Sequence, residues 1–273
     1  MPTFQTTTDG TTLAYEDYGT GAPILFVAGW SLHSDMWEYQ LHYFLDRGYR
    51  CILVDRRGHG RSDRPSTGYD VDTRADDVAA LIEHLDLRDL TLVAHSGGGG
   101  EVVRYLTRHG ADRVERVVLL APAVPFMMQT ADNPVGVPLE ALENTLRLLR
   151  SDRPKWFADR AQGYFATHLR AAVSQAMIDE EMRRCLSASP YATVVMQREL
   201  FHSDHRADVA ALPVPTLFLH GRADQSIPIE ISSRQAVQLT DRAVLKEYPD
   251  AGHGLYLTHA AEVNAEILAF IKG

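Results

Sequence analysis

The sequence predicts an α/β fold with a mostly parallel, doubly wound sheet of about eight strands. Short apolar runs rich in β-branched residues alternate along the chain with segments of helical periodicity. The runs are apolar at nearly every position, which is typical of strands that helices bury on both faces. Strands joined in this way lie parallel, with right-handed crossovers. The length of 273 residues suits one large α/β domain or two small ones.

The individual elements follow this alternation from the N-terminus onward. A hairpin of strands 4–8 and 12–17 is expected first, because the Asp9-Gly10 dipeptide between them favours a tight turn. The helix at 72–85 is the clearest, since its apolar side chains fall on one face. The remaining strands are expected at 23–28, 50–55, 90–95, 114–120, 216–220 and 243–248, and further helices at 35–45 and 259–271.

Residues 124–212 break the alternation. This interval contains no good strand, and its proline-punctuated helical segments fall at 138–150, 153–164, 167–186 and 191–202. We interpret it as an all-helical cap inserted between two strands of a core formed by residues 1–123 and 213–273. Such an insertion would lie over the carboxyl ends of the strands, where open α/β sheets bind ligands.

Apolar side chains near this edge are candidates for the wall of a substrate pocket. We assign four of them to it: Met127, Tyr164, Leu200 and Ile227. The alternative is that most of the cap's apolar side chains form its own core.

The composition limits the classes of partner. The chain has 27 Lys and Arg against 36 Asp and Glu, a net charge of −9, so neither nucleic acid nor an anionic membrane is an expected partner. Cys51 and Cys185 lie far apart, which favours two buried thiols over a disulfide or a metal pair. There is no apolar stretch of about 18 residues and no charged leader before an apolar core, so we expect a cytoplasmic protein. No pattern suggests a metal, flavin or nucleotide, so we expect no cofactor.

The segment 90–106 carries the most information about function. Its apolar run ends in His95 and Ser96, meets four glycines and continues as an amphipathic helix. A serine at such a sharp strand-to-helix turn has its hydroxyl exposed above the sheet. Larger side chains at Ala94 or Gly98 would collide with neighbouring elements, although the usual pattern has glycine at the first of these positions. A phosphate-binding loop is the alternative, but its glycine spacing and lysine are missing.

A serine nucleophile needs a base and an acid, which in folds with this turn follow in the order Ser, Asp or Glu, His. Asp224 follows the strand at 216–220, and His253 follows the last strand. Both loops open on the edge where Ser96 is expected. Asp250 and Asp204 are rival acids. Other histidines fit the role of base less well: His95 should point away from Ser96, His84 and His259 fall at helices, and His59 suits loop organisation.

Charge that develops on a substrate carbonyl oxygen requires two backbone N–H donors. Gly97, directly after the nucleophile, is one candidate, and Trp30, in the loop after an earlier strand, is the other. The Trp30 ring could in addition wall the pocket.

Together these residues resemble the α/β-hydrolase superfamily, and within it the bacterial aryl esterases and cofactor-free haloperoxidases, or perhydrolases. The resemblance spans essentially the whole chain. It is carried by Gly-Trp at 29–30, Asp-Met-Trp-Glu-Tyr-Gln at 35–40, Asp-Arg-Arg-Gly-His-Gly-Arg-Ser-Asp at 55–63, Ala-His-Ser-Gly-Gly-Gly-Gly at 94–100, His-Gly-Arg-Ala-Asp-Gln at 220–225 and Ala-Gly-His-Gly at 251–254. It implies an α/β-hydrolase fold with Ser96, Asp224 and His253 as catalytic residues and Trp30 and Gly97 as donors.

Three positions depart from that family's pattern. Ala28 stands where a histidine usually braces the oxyanion loop, which puts the geometry of the donor in question. Gly97 stands where Met or Gln is common, which would leave room for bulkier acyl groups. Ser31 stands where members that favour peracid formation tend to carry proline, which favours ordinary ester hydrolysis.

The leading hypothesis is a serine carboxylic-ester hydrolase that acts on small hydrophobic or aryl esters through an acyl-enzyme. The same residues could instead hydrolyse a lactone or an amide, or form a peracid from a carboxylic acid and hydrogen peroxide. A ligand-binding protein without turnover is a third hypothesis. Dehalogenase and epoxide-hydrolase chemistry needs an aspartate nucleophile, which Ser96 argues against. Because relatives often self-associate, a homo-oligomer is a further expectation from the resemblance.

Overall fold

A mostly parallel sheet forms the centre of the molecule. The computed structural model describes residues 2–6, 8–169 and 173–273. Its strands are β1 Thr3–Gln5, β2 Thr12–Tyr18, β3 Pro23–Val27, β4 Arg50–Val54, β5 Leu90–His95, β6 Val114–Leu120, β7 Thr216–Gly221 and β8 Ala243–Tyr248. Within the described residues these eight strands form one sheet in the order β1-β2-β4-β3-β5-β6-β7-β8. The β1–β2 and β2–β4 pairs are antiparallel and all other pairs are parallel, which confirms the predicted sheet and its N-terminal hairpin.

The longer helices fall close to the predicted segments, whereas three short ones, at Arg206–Ala210, Ser233–Ala236 and Leu255–Thr258, were not predicted. The helices are α1 Glu38–Leu45, α2 Val71–His84, α3 Gly97–His109, α4 Leu139–Ser151, α5 Arg153–Phe165, α6 Gln175–Ser187, α7 Pro190–His202, α8 Arg206–Ala210, α9 Ser233–Ala236, α10 Leu255–Thr258 and α11 Ala260–Lys272, with 3₁₀ turns at Ser34–Trp37 and Ile229–Ile231. In the described ranges, none of these helices has the length and apolar character needed to span a bilayer.

Three predicted bounds were wrong. The helix expected at 167–186 begins only at Gln175, because the Ser174 hydroxyl accepts the Met177 N–H at 3.2 Å and caps it there. Residues 170–172 of that prediction lie outside the described residues. The first turn of the helix expected at 35–45 is 3₁₀. In the hairpin, β1 ends at Gln5 rather than at residue 8, and residue 7 is also outside the described part.

Each central strand buries both faces, as its continuous hydrophobicity predicts. In β3, Leu25 and Val27 join the apolar cluster that includes side chains of α2 and α3. Ile24 and Phe26 join a separate cluster that includes side chains of α1 and α11. Because successive strand residues point to opposite faces, one short apolar run supplies two cores.

The order of the sheet reverses between β3 and β5. From β3 the chain passes to β4 on one side and then crosses to β5 on the other side. At such a switch point the loops after the two strands separate and leave a crevice at their carboxyl ends. Trp30 follows β3 and Ser96 follows β5, so both lie at this crevice. In the chain, helices α4–α8 come between β6 and β7.

Candidate active site

Ser96 lies on the sharp turn between β5 and α3. Its backbone has φ 52° and ψ −121°, a conformation that costs a non-glycine residue about 1–3 kcal/mol. Its N–H donates to the Leu120 carbonyl at 2.9 Å, and its own carbonyl accepts the Ala123 N–H at 3.0 Å. These bonds to β6 and the loop after it hold the turn in place.

The glycines after Ser96 are required by close neighbours. A Cβ atom at Gly98 would lie 2.6 Å from the Ala28 carbonyl oxygen, which is the collision that the sequence predicts. At Gly99 it would lie 2.8 Å from Pro122 Cβ, and at Gly100 2.7 Å from His205 Nε2. The start of α3 is therefore packed against the loops after β3 and β6 and against the residue before α8.

The structure brings Ser96, His253 and Asp224 together. His253 Nε2 lies 2.9 Å from Ser96 Oγ, and His253 Nδ1 lies 2.7 Å from Asp224 Oδ2. The carboxylate can only accept, so Nδ1 carries the proton and Nε2 is left to accept the serine proton. All three side chains are buried, and this arrangement is suited to general-base activation of the Ser96 hydroxyl.

Asp224 is held by further donors. Its Oδ1 accepts the N–H groups of Ser226 at 2.8 Å and Ile227 at 2.9 Å, and its Oδ2 lies 3.1 Å from His220 Nε2. Burial opposes ionisation, but the neighbouring His253 and His220 hold the pKa of Asp224 below its ordinary value. His220 is a further residue of the site, for which the sequence predicts no role. Its position at the end of β7, four residues before the acid, is the signal that could have found it.

The rival acids have other partners. Asp250 Oδ1 lies 3.2 Å from His259 Nε2. The Asp204 carboxylate pairs with Arg206 at 2.6 Å.

His95, which the sequence predicts to point away from Ser96, contacts His253. Its ring lies 4.7 Å from the His253 ring, and its Nε2 lies 3.0 Å from the His253 carbonyl oxygen. Burial, and then the nearby His253, hold the pKa of His95 well below its ordinary value, so it is neutral and donates from Nε2. A Cβ atom at Gly29 would collide with this ring, which explains the glycine there. His95 thus packs against His253.

The main chains of Trp30 and Gly97 lie close together. A Cβ atom at Gly97 would lie 3.7 Å from the Trp30 nitrogen. Within the described part of the chain, neither N–H donates to a protein group. The Trp30 ring packs against Trp156 of α5, with ring centroids 5.6 Å apart, and its Nε1 donates to the Thr193 carbonyl of α7 at 2.9 Å.

The four assigned pocket residues fall in two places. Met127, Leu200 and Ile227 form one apolar cluster, against which Trp30 packs. Tyr164 lies elsewhere: its ring is 5.3 Å from the His253 ring, and its hydroxyl is 3.0 Å from that of Tyr256.

Leu200 lies close to Gly97. A Cβ atom at Gly97 would lie only 2.8 Å from Leu200 Cδ1. The Leu200 methyl group of α7 therefore lies where a side chain at position 97 would begin. Room for bulkier acyl groups stays a prediction.

The two cysteines are poorly suited to act as nucleophiles. Cys51 and Cys185 are free and buried, and burial raises the pKa of each thiol to about 12. Among the described residues, no group of three or more His, Cys, Asp or Glu side chains could hold a metal ion.

The chain is similar to known proteins over its whole length. Residues 22–260 match the family model of the alpha/beta hydrolase fold. A non-heme haloperoxidase from Rhodococcus erythropolis is 43% identical over 100% of both chains, and a bifunctional esterase/perhydrolase from Acinetobacter calcoaceticus is 36% identical over 98% of this chain and 99% of its own. The crystal structure of a bromoperoxidase from Bacillus anthracis superposes with a TM-score of 0.95 at 33% identity, covering 100% of this chain and 99% of that one.

Replacing Asp224 by Asn should lower kcat on an activated ester about 10⁴-fold, because the amide can hold the wrong tautomer of His253. Steady-state kinetics on p-nitrophenyl acetate, with a thermal melt to verify folding, measures this. The matched control is Asp250→Asn, which alters the rival acid and should stay within a few-fold of the unaltered protein. Equal losses in both variants would contradict the assignment of Asp224.

Proposed function

The chain belongs to the α/β-hydrolase family, in the branch of the non-heme haloperoxidases, and on this basis we propose that it hydrolyses small hydrophobic or aryl carboxylic esters through an acyl-enzyme. The observation that carries the proposal is the 2.9 Å contact between His253 Nε2 and Ser96 Oγ. A binding protein without turnover would not require a base in contact with the serine.

In the acylation step, Ser96 Oγ attacks the acyl carbon while His253 Nε2 takes its proton. The carbonyl oxygen becomes an oxyanion, which the N–H groups of Trp30 and Gly97 stabilise. Each such donor typically contributes about 3 kcal/mol in the transition state. His253 then gives the proton to the departing alcohol or phenol oxygen, and the carbon–oxygen bond breaks. Asp224 stabilises the imidazolium throughout.

Deacylation repeats these steps with water. His253 takes a proton from the water, whose oxygen attacks the acyl carbon of the Ser96 ester. The second tetrahedral intermediate collapses, the proton returns to Ser96 Oγ, and a carboxylic acid leaves.

The choice of a small acyl group rests on Leu200. Its methyl group lies where a side chain at position 97 would start, beside both proposed donors. Together with Met127 and Ile227 it makes the surroundings apolar, which suits a short hydrophobic or aryl group.

Treatment with a fluorophosphonate should add one phosphonyl group to Ser96 and abolish ester turnover. Intact-protein and peptide mass spectrometry locate the label, and p-nitrophenyl acetate hydrolysis gives the rate. Ser96→Ala should lose both the label and the turnover, whereas Ser174→Ala, which alters only the cap of α6, should keep both. The absence of label and turnover in the unaltered protein would overturn the proposal.

Shortening Leu200 to Ala should shift the substrate preference toward longer acyl chains, because it frees the volume above Gly97. We expect kcat/KM for p-nitrophenyl octanoate relative to acetate to rise about tenfold, as typical for a few methylenes in an apolar pocket. Leu239→Ala, a distant surface change, serves as the control. An unchanged ratio in Leu200→Ala would place the acyl group elsewhere.

A second candidate is perhydrolysis, in which hydrogen peroxide replaces water in deacylation and the product is a peracid. The name of the Acinetobacter calcoaceticus relative favours it. Ser31 weighs against it, because its φ of 62° is inaccessible to proline, the residue that peracid-forming members tend to carry there. The peptide after Trp30 therefore has a conformation that a proline-bearing chain cannot share.

Ser31→Pro should raise the ratio of peracid to hydrolysis product formed in the presence of hydrogen peroxide, since proline forces the backbone beside the donor to a negative φ. Ester hydrolysis in the same variant should fall. Peracid is measured by bromination of monochlorodimedone, and acid release by titration. Ser31→Gly retains the positive φ and should keep the original ratio. If both variants give the same ratio of peracid to hydrolysis product, the backbone at residue 31 does not determine whether water or hydrogen peroxide attacks the acyl-enzyme.

A further inference from the structure

Arg56 contacts the loop that carries Trp30, at a point where the sequence predicts no residue to hold that loop. Ala28 supplies no polar group, yet the loop carrying Trp30 must be held against the start of α3. The Arg56 guanidinium, which is buried, donates from Nη2 to the Gly29 carbonyl oxygen. This is a charge-assisted hydrogen bond away from water, and such bonds are stronger than neutral ones. The same oxygen also accepts the Leu32 N–H, at 3.1 Å and within the loop itself, so Arg56 is its link to the rest of the fold.

The Gly29 carbonyl and the Trp30 N–H belong to one peptide group. That group is trans, so it is planar and its C=O and N–H point in opposite directions. A donor that fixes the carbonyl therefore also fixes the direction of the Trp30 N–H, whose nitrogen lies 3.7 Å from the Cβ position of Gly97. The positive charge on the carbonyl side also polarises the peptide and makes the N–H a better donor.

The same arginine is tied to the second donor. Arg56 Nη1 lies 2.8 Å from Glu101 Oε1. Glu101 is fully buried on α3, the helix whose first residue is Gly97. One guanidinium thus joins the loop that carries Trp30 N–H to the helix that carries Gly97 N–H, and its planar fork sets the distance between them.

We propose that Arg56 is a positioning residue for the oxyanion hole, holding the Trp30 N–H toward the tetrahedral intermediate and in register with the Gly97 N–H. The proposal rests on the ester-hydrolase function proposed above. Arg56 touches neither Ser96 nor His253, so it acts through the Gly29–Trp30 peptide.

Arg74 provides a matched control within the same cluster. Its Nη1 lies 2.9 Å from the same Glu101 oxygen, and its side chain is as deeply buried as that of Arg56. It extends from α2 and makes no hydrogen bond to the oxyanion loop. Removing either arginine leaves Glu101 with one arginine partner. If Arg56 served only charge balance or folding, replacing Arg56 and replacing Arg74 would therefore lower kcat by similar factors.

The experiment compares Arg56→Met and Arg74→Met in the full-length chain, with p-nitrophenyl acetate as substrate and an aryl trifluoromethyl ketone as the probe of the tetrahedral state. In Arg56→Met we expect kcat to fall about 10- to 100-fold with KM within about threefold, as for a displaced transition-state contact. The inhibition constant of the ketone should rise by the same factor. Arg74→Met should keep kcat and the inhibition constant within about threefold of the unaltered protein.

A spectroscopic readout reports on the donor itself. The chain has only three tryptophans, so ¹⁵N-tryptophan labelling gives three backbone amide signals. Formation of the ketone adduct should shift the Trp30 amide proton downfield, and this shift should shrink in Arg56→Met but persist in Arg74→Met. If Arg56→Met does not fold, Arg56→Lys takes its place: one ammonium cannot reach both oxygens as the guanidinium does, and the shift should be intermediate.

Equal losses of kcat in the two variants, or a full downfield shift without the arginine, would overturn the assignment of Arg56. If the unaltered protein neither turns over the ester nor binds the ketone, the proposed function fails and this inference fails with it. The two failures are therefore distinguishable.

Discussion

The backbone conformation of Ser96 is the constraint around which the site is arranged. An L-residue held at φ 52° persists only where its surroundings impose it, and here the imposing groups are the Leu120 carbonyl and the Ala123 N–H. Both belong to β6 or to the loop after it. The reversal brings Gly98 against the Ala28 carbonyl, so the loops after β3, β5 and β6 meet at one point. A larger side chain at Gly98 would push the start of α3 away from the loop after β3.

Buried charges at this point are matched by specific partners. Four donors surround the Asp224 carboxylate, and two arginines share one oxygen of Glu101. A buried charge without a partner would cost several kcal/mol, whereas a matched one contributes little net stability and fixes geometry instead. Asp224 fixes His253, and Glu101 fixes Arg56. Loops that would otherwise be adjustable are thereby held in the geometry that the chemistry requires.

The helices between β6 and β7 also shape the site. The Trp30 ring is anchored to α5 and α7, although its main chain belongs to the crevice of the sheet. Leu200 of α7 covers Gly97 from above. A change in these helices would therefore alter both the proposed acyl pocket and the position of Trp30, one of the two proposed donors.

The sequence by itself determined the fold class, the alternation of strands and helices, and the order of Ser96, Asp224 and His253. Those features depend on local patterns: apolar runs, glycines at a turn, and loops at the ends of strands. Only the tertiary structure decided that His95 packs against His253 and that His220 lies beside Asp224. It alone also decided that a Leu200 methyl group lies close to Gly97 and that Arg56 bonds the Gly29 carbonyl. These contacts join residues from separate elements. Their distances are set by tertiary packing, and no local sequence pattern indicates them.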